Sequence, residues 1–245
     1  MKPFLSLVTL CVFLSNAAGA VELDEAKAFQ AEVQFLKSYY AERTLDLKSL
    51  LPKDYVKSGE ARGDLDGDGI DDLVIIIHKD PSANKTAKGD LSGGFDLPQF
   101  VVILTGSKSG QLKMWKFGQS HFHHAMTSQM EENGLRGFEI KKGVLSFTAD
   151  FALSMGGWSA GGCTQKWRNG KTGFQLIGLT VENMDRKCAC GQTTDQNLLT
   201  GAKQVTSDQK QDGSQASKTT TKKIKDAPQT VLWEDFDYER YCEAG

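Results

Sequence analysis

Gly63-Asp64-Leu65-Asp66-Gly67-Asp68-Gly69-Ile70-Asp71-Asp72-Leu73-Val74-Ile75-Ile76-Ile77 is an acidic, glycine-punctuated loop that runs straight into an apolar strand. Carboxylates at alternating positions converge on one hard cation only if the backbone coils tightly between them, which Gly67 and Gly69 allow without steric penalty. Asp64, Asp66 and Asp68 take the first, third and fifth loop positions, the Ile70 carbonyl the seventh and Asp72 the ninth. That order of oxygen ligands suits calcium, so Ca2+ is the expected ion and these five residues its expected ligands. Four ionised carboxylates held together repel one another strongly without a cation, and the loop is expected to lose local order when stripped of it.

Leu73 to Ile77 is apolar at every position and rich in β-branched residues, the pattern of a strand buried on both faces. From that strand outward the chain reads as short strands separated by turn residues. Val56 to Ala61 leads into the loop. Gln99 to Thr105, Gln111 to Phe117, Gly137 to Lys141, Val144 to Ala149, Thr164 to Arg168 and Phe174 to Val181 follow it. Tight connections such as Lys142-Gly143 and Asn169-Gly170-Lys171 favour hairpins. The expected fold is mainly β with an N-terminal helix, arranged as an antiparallel sheet or a partial propeller-like stack in a single domain.

The helix is expected over residues 24–42: Asp24 can cap it, and Ala26, Phe29, Val33, Leu36 and Tyr40 recur at three- and four-residue steps. A second short helical turn is expected at Leu45 to Leu51, before Pro52. Lys79 to Leu97 reads as a long polar loop, of a length usually tied to function or mobility. Residues 202–225 hold Gln, Ser, Thr, Asp and Lys with few large apolar side chains. They read as a flexible segment, either an extended hairpin tip or a disordered excursion. Val231 to Tyr241 reads as a short helix or strand tied down by Cys242.

Residues 1–20 have one lysine, an apolar run from Phe4 to Leu14 and the small residues Ala18-Gly19-Ala20, the three regions of a secretory signal peptide. The mature chain is then expected to start near Val21 and to be periplasmic or secreted. No segment reaches the roughly 20 apolar residues of a spanning helix, so no stable membrane span is expected. The formal net charge of -2 over 245 residues carries no basic bias, which disfavours nucleic acid as a partner. Of five cysteines, Cys163, Cys188, Cys190 and Cys242 would survive processing, enough for two disulfides in an oxidising compartment. Cys188 and Cys190 are too close to bridge each other readily, so each is expected to reach Cys163 or Cys242, in either order.

The spacing Asp-x-Asp-Gly-Asp-Gly-x-x-Asp followed by Leu-Val-Ile resembles the calcium loops of FG-GAP and VCBS repeats, which occur in the β-propeller of integrin α-subunits and in many exported bacterial proteins. The resemblance spans Ser58 to His78. It implies that Asp64, Asp66, Asp68 and Asp72 are side-chain ligands and that Ile70 contributes its carbonyl. An EF-hand would place a bidentate Glu at the twelfth position, where this chain has Ile75. Propellers carry several copies of the loop; here it occurs once. Ser58-Gly59-Glu60-Ala61-Arg62-Gly63-Asp64, Gly173-Phe174-Gln175-Leu176-Ile177-Gly178 and Asn197-Leu198-Leu199-Thr200-Gly201, in that order, look like exported bacterial proteins with one such loop. That likeness implies a topology and no activity.

Three other segments bear on function. His121 and His123 would share one side of a strand and invite a zinc reading, but no third ligand is evident. Met155 to Cys163 sets four glycines around Trp158, so Trp158, with His121 and His123, is a candidate binding surface. Gly157-Trp158-Ser159-Ala160-Gly161 fits a bare Gly-x-Ser-x-Gly, but that motif requires a strand, a turn and a helix, and the sequence after Gly162 reads as strand. The expected function is non-enzymatic: an exported, calcium-stabilised binding or interaction module. Its expected partner is another exported protein or a cell-envelope polymer, and a specific version is an inhibitor or immunity-type protein for an envelope enzyme. The competing class is a calcium-dependent or serine hydrolase of envelope material.

Overall fold

Leu73–Ile77 lies inside the second strand of a four-stranded antiparallel sheet, β1 (Tyr55–Gly63), β2 (Asp72–Lys79), β3 (Phe100–Gly106) and β4 (Leu112–Gly118), whose order in space follows the order in sequence. The computed structural model describes residues 27–80, 82, 98–119, 135–153, 159–185, 190–210 and 217–243. Every side chain from Leu73 to Ile77 is buried. Val74 and Ile76 join Val101 and Ile103 of β3 in the main core, and the alternate residues Leu73, Ile75 and Ile77 are buried as fully. The strand is thus covered on both faces, as its unbroken apolar run requires.

The remaining strands form a seven-stranded antiparallel sheet: β5 (Leu135–Lys141), β6 (Val144–Leu153), β7 (Ser159–Gly170), β8 (Gly173–Asp185), β9 (Cys190–Asn197), β10 (Ala202–Lys210) and β11 (Ser217–Lys225). It too is a meander, each strand pairing with its sequence neighbours. Leu145, Phe147, Cys163, Trp167, Phe174, Leu176, Leu179 and Val181 face the same core as Val74 and Ile103. The expected mainly β, antiparallel architecture is what forms, as two sheets sharing one core, and among the described residues neither sheet closes into a barrel. Residues 44–245 make one compact body.

The C-terminal segment completes that body. Val231 accepts a backbone hydrogen bond from Leu176 at 2.9 Å, and a 3-10 turn at Trp233–Asp235 places Trp233 edge-on to Trp167 with ring centres 4.8 Å apart. The Tyr238 hydroxyl donates to the Ala149 carbonyl at 3.3 Å. A single π-helical turn, Glu239–Glu243, carries Cys242 into a disulfide with Cys163 of β7.

Residues up to 43 form a separate unit. Its described part contains helix α1, residues 27–41, and residues 24–26 of the expected helix lie outside the described residues. Val33, Leu36 and Tyr40 are its buried positions, matching the predicted stripe.

Two expectations are corrected, and one left between alternatives is decided. Residues 45–51 are not helical: Leu45 forms a β-bridge with Leu112, and the Asp46 carboxylate accepts the Lys48 and Ser49 N–H groups at 2.9 and 2.8 Å. That local bonding gives the backbone an alternative to a helix. Of the two readings of segment 202–225, the hairpin is the one that forms: it supplies β10 and β11, in register from Ala202 opposite Lys225 to Lys210 opposite Ser217; residues 211–216 lie outside the described residues. Cys163 pairs with Cys242, so neither pairs with Cys188 or Cys190. The cause is the C-terminal turn, which brings Cys242 to a Cα separation of 5.6 Å from Cys163. Cys190 is also disulfide-bonded.

Candidate metal centre

The acidic loop joins β1 to β2 at one end of the four-stranded sheet. Its coil is set by two residues of positive φ, Gly67 at 88° and Gly69 at 81°, a region that side chains with a Cβ enter only at a cost. Within it the carboxylates cap the loop's own backbone. Asp64 accepts the N–H of Gly67 on one oxygen at 2.7 Å and that of Gly69 on the other at 3.0 Å. Asp66 accepts from Asp68 at 3.1 Å, and Asp68 from Ile70 at 2.8 Å.

Asp72 differs from its neighbours because it is only 1% exposed. Its Oδ2 accepts the N–H groups of Leu65 and Asp66 at 2.8 and 3.3 Å, and its Oδ1 accepts that of Gly106, from the end of β3, at 3.0 Å. The carboxylate therefore ties the start of the loop, the start of β2 and the end of β3 together. Burial pushes its pKa above the ordinary range; the Leu65 and Gly106 hydrogen bonds pull the other way, and the charge of Asp66 adds to the rise.

Asp64, Asp66 and Asp72 bring one oxygen each to within 4.8 Å of one another. Two oxygens bound to the same calcium, each about 2.3–2.6 Å from it, can lie no more than about 5 Å apart, so the three fit one hard cation. The donor set is all oxygen, as calcium or magnesium requires. The Asp68 carboxylate stands outside this group and is engaged with Ile70. Of the five predicted ligands, three carboxylates are thus brought together.

Beside the loop is a cleft of about 500 Å³, lined by Asp64 and Asp66 of the loop together with Lys142, Arg168 and Asn169. Local spacing gave no sign of these last three, because they arrive from the β5–β6 turn and from the end of β7. Gly106 was missed for the same reason.

His121, His123, Trp158 and Cys188 lie outside the described residues, as do 83–97 of the expected polar loop. Ser159 opens β7 and pairs with both Leu153 and Asp185, so the residue in the Gly-x-Ser-x-Gly position begins a central strand and no helix follows it. The context of a hydrolase nucleophile is not met.

Fold and site together define a two-sheet antiparallel β protein with an acidic, glycine-turned loop at a sheet entrance. No protein-family model, no curated protein and no solved structure matches the chain.

Proposed function

We propose that this chain is an exported binding module whose sheet entrance is held by calcium, with another exported protein or an envelope polymer as its partner. The observation that carries the reading is the convergence of the Asp64, Asp66 and Asp72 oxygens within 4.8 Å, with Asp72 buried among backbone donors of two segments, the start of the loop and the end of β3. A buried carboxylate beside a second acidic group is costly to keep charged, and a divalent cation offsets that cost. The loop's likeness to FG-GAP and VCBS calcium loops supports the same assignment. A disulfide between Cys163 and Cys242 accords with an oxidising compartment. No helix among the described residues is long and apolar enough to cross a membrane.

The test is isothermal titration of chelator-treated protein with calcium and with magnesium. One calcium site, lost in Asp66→Ala and Asp72→Asn, supports the reading. Absence of calcium binding in the wild type refutes it.

A further inference from the structure

From the cleft beside the loop we infer that the proposed calcium site is half of a composite site, whose other half, Lys142 and Arg168, binds a carboxylate or phosphate oxyanion of an acidic polymer. This rests on the calcium reading, because two bare carboxylates in the same cleft would repel an anion.

Three observations carry it. The first is the volume: about 500 Å³ falls within the roughly 300–1,000 Å³ of small-ligand pockets. The second is charge. Asp64, Asp66, Lys142 and Arg168 all line the cleft, and among the described residues neither base forms an ion pair. Asn169 adds a neutral amide suited to a hydroxyl. Once a divalent cation offsets the charge of the two carboxylates that line it, the cleft presents a guanidinium and an ammonium, the groups that bind carboxylate or phosphate through charge-assisted hydrogen bonds.

The third observation is backbone strain. Lys142 has φ of 53°, and besides Asp54 it is the only described non-glycine residue with positive φ. Turns of this kind favour Asn, Asp or Gly, and a lysine there is strained. The turn that carries it abuts the loop: a Cβ on Gly143 would stand 3.7 Å from the Asp64 carbonyl. A residue poorly suited to its turn but placed over a cleft fits a role for its side chain.

The probes are a glucuronate-containing tetrasaccharide and a glycerol-phosphate trimer, each titrated into the full chain in saturating calcium. Binding of either supports the inference, and the arm that binds identifies the oxyanion as carboxylate or phosphate. Arg168→Gln should weaken that binding about tenfold, the loss of one charge-assisted hydrogen bond. Lys142→Gly should weaken it similarly while raising the melting temperature, since glycine relieves the turn; a merely structural lysine would not separate the two. Both variants should titrate calcium as the wild type does. Calcium binding with no binding of either probe, or variants that bind the probe like wild type, overturns the inference and leaves the calcium reading standing. Failure of the calcium titration alone, done first without probe, overturns the earlier reading.

Discussion

The Gly106 N–H donates to the buried Oδ1 of Asp72 at 3.0 Å, joining the last residue of β3 to the first of β2 across 34 positions of sequence. The approach is so close that a Cβ on Gly106 would stand 2.2 Å from the Asp71 carbonyl oxygen. Backbone cannot yield as a flexible side chain can. Gly106→Ala is therefore expected to destabilise the protein by about 1–3 kcal/mol, the usual range for overpacking, and to weaken calcium binding by displacing Asp72. Urea unfolding with and without calcium measures both effects. Wild-type behaviour in both would show that the strand end does not hold the loop.

The aromatic cluster should anchor the C-terminal segment. Trp233 is buried against Trp167 and Phe174, with ring centres 4.8 and 5.4 Å away. Trp233→Ala is expected to cost about 3–5 kcal/mol, and limited proteolysis should then cut after residue 225 at a rate the wild type does not show. An unchanged cleavage pattern would contradict this docking.

Removing the Cys163–Cys242 bridge should act mainly on the unfolded chain. The bridge closes 79 residues of sequence, and the chain-entropy account assigns a loop of that size about 4–5 kcal/mol. Cys242→Ser is expected to lower stability by up to that amount. Non-reducing peptide mapping should recover a peptide joining Cys163 to Cys242. Recovery of Cys163 joined to Cys190 would refute the pairing.

Acid stability should draw on Glu60 of β1. The hydrogen bond from Lys57, then that from Arg62, hold its carboxyl below the ordinary glutamate range. A depressed pKa contributes stability that is present above the unfolded value, about 4.3, and lost as pH falls through the lower folded value. Glu60→Gln should therefore lower the melting temperature slightly at neutral pH and match the wild type at about pH 2. A constant difference across that range would show that the ion pairs contribute nothing.

What the sequence made legible follows from local physics. Leu73 to Ile77 was readable because an unbroken β-branched run has few stable places other than a doubly covered strand. The Lys142-Gly143 turn was readable because positive φ needs a glycine nearby, and Gly143 has φ of 70°. β10 and β11 were left open between a hairpin and a disordered excursion because their strands bury little apolar surface. They are held by cross-strand pairing in an unbroken ladder and by polar contacts such as Thr219 Oγ1 to Asp208 at 2.6 Å. The many threonines were the available signal, since β-branched residues favour strands whatever their polarity. The convergence of Asp64, Asp66 and Asp72 could be anticipated from spacing. The contributions of Gly106, Lys142 and Arg168 could not, being consequences of tertiary packing.

The central claim concerns one ion and three carboxylates, and thermal unfolding in chelator and in calcium tests it most directly. With a dissociation constant near 10⁻⁴ M, in the range of extracellular modules, calcium at about a hundredfold excess over that constant should add about 2.7 kcal/mol. For a chain of this size that is a rise of roughly 5–10 °C, reversed by chelator and absent in Asp66→Ala. A wild type whose melting temperature ignores calcium, or an Asp66→Ala variant that gains as much from it as the wild type, would contradict the account.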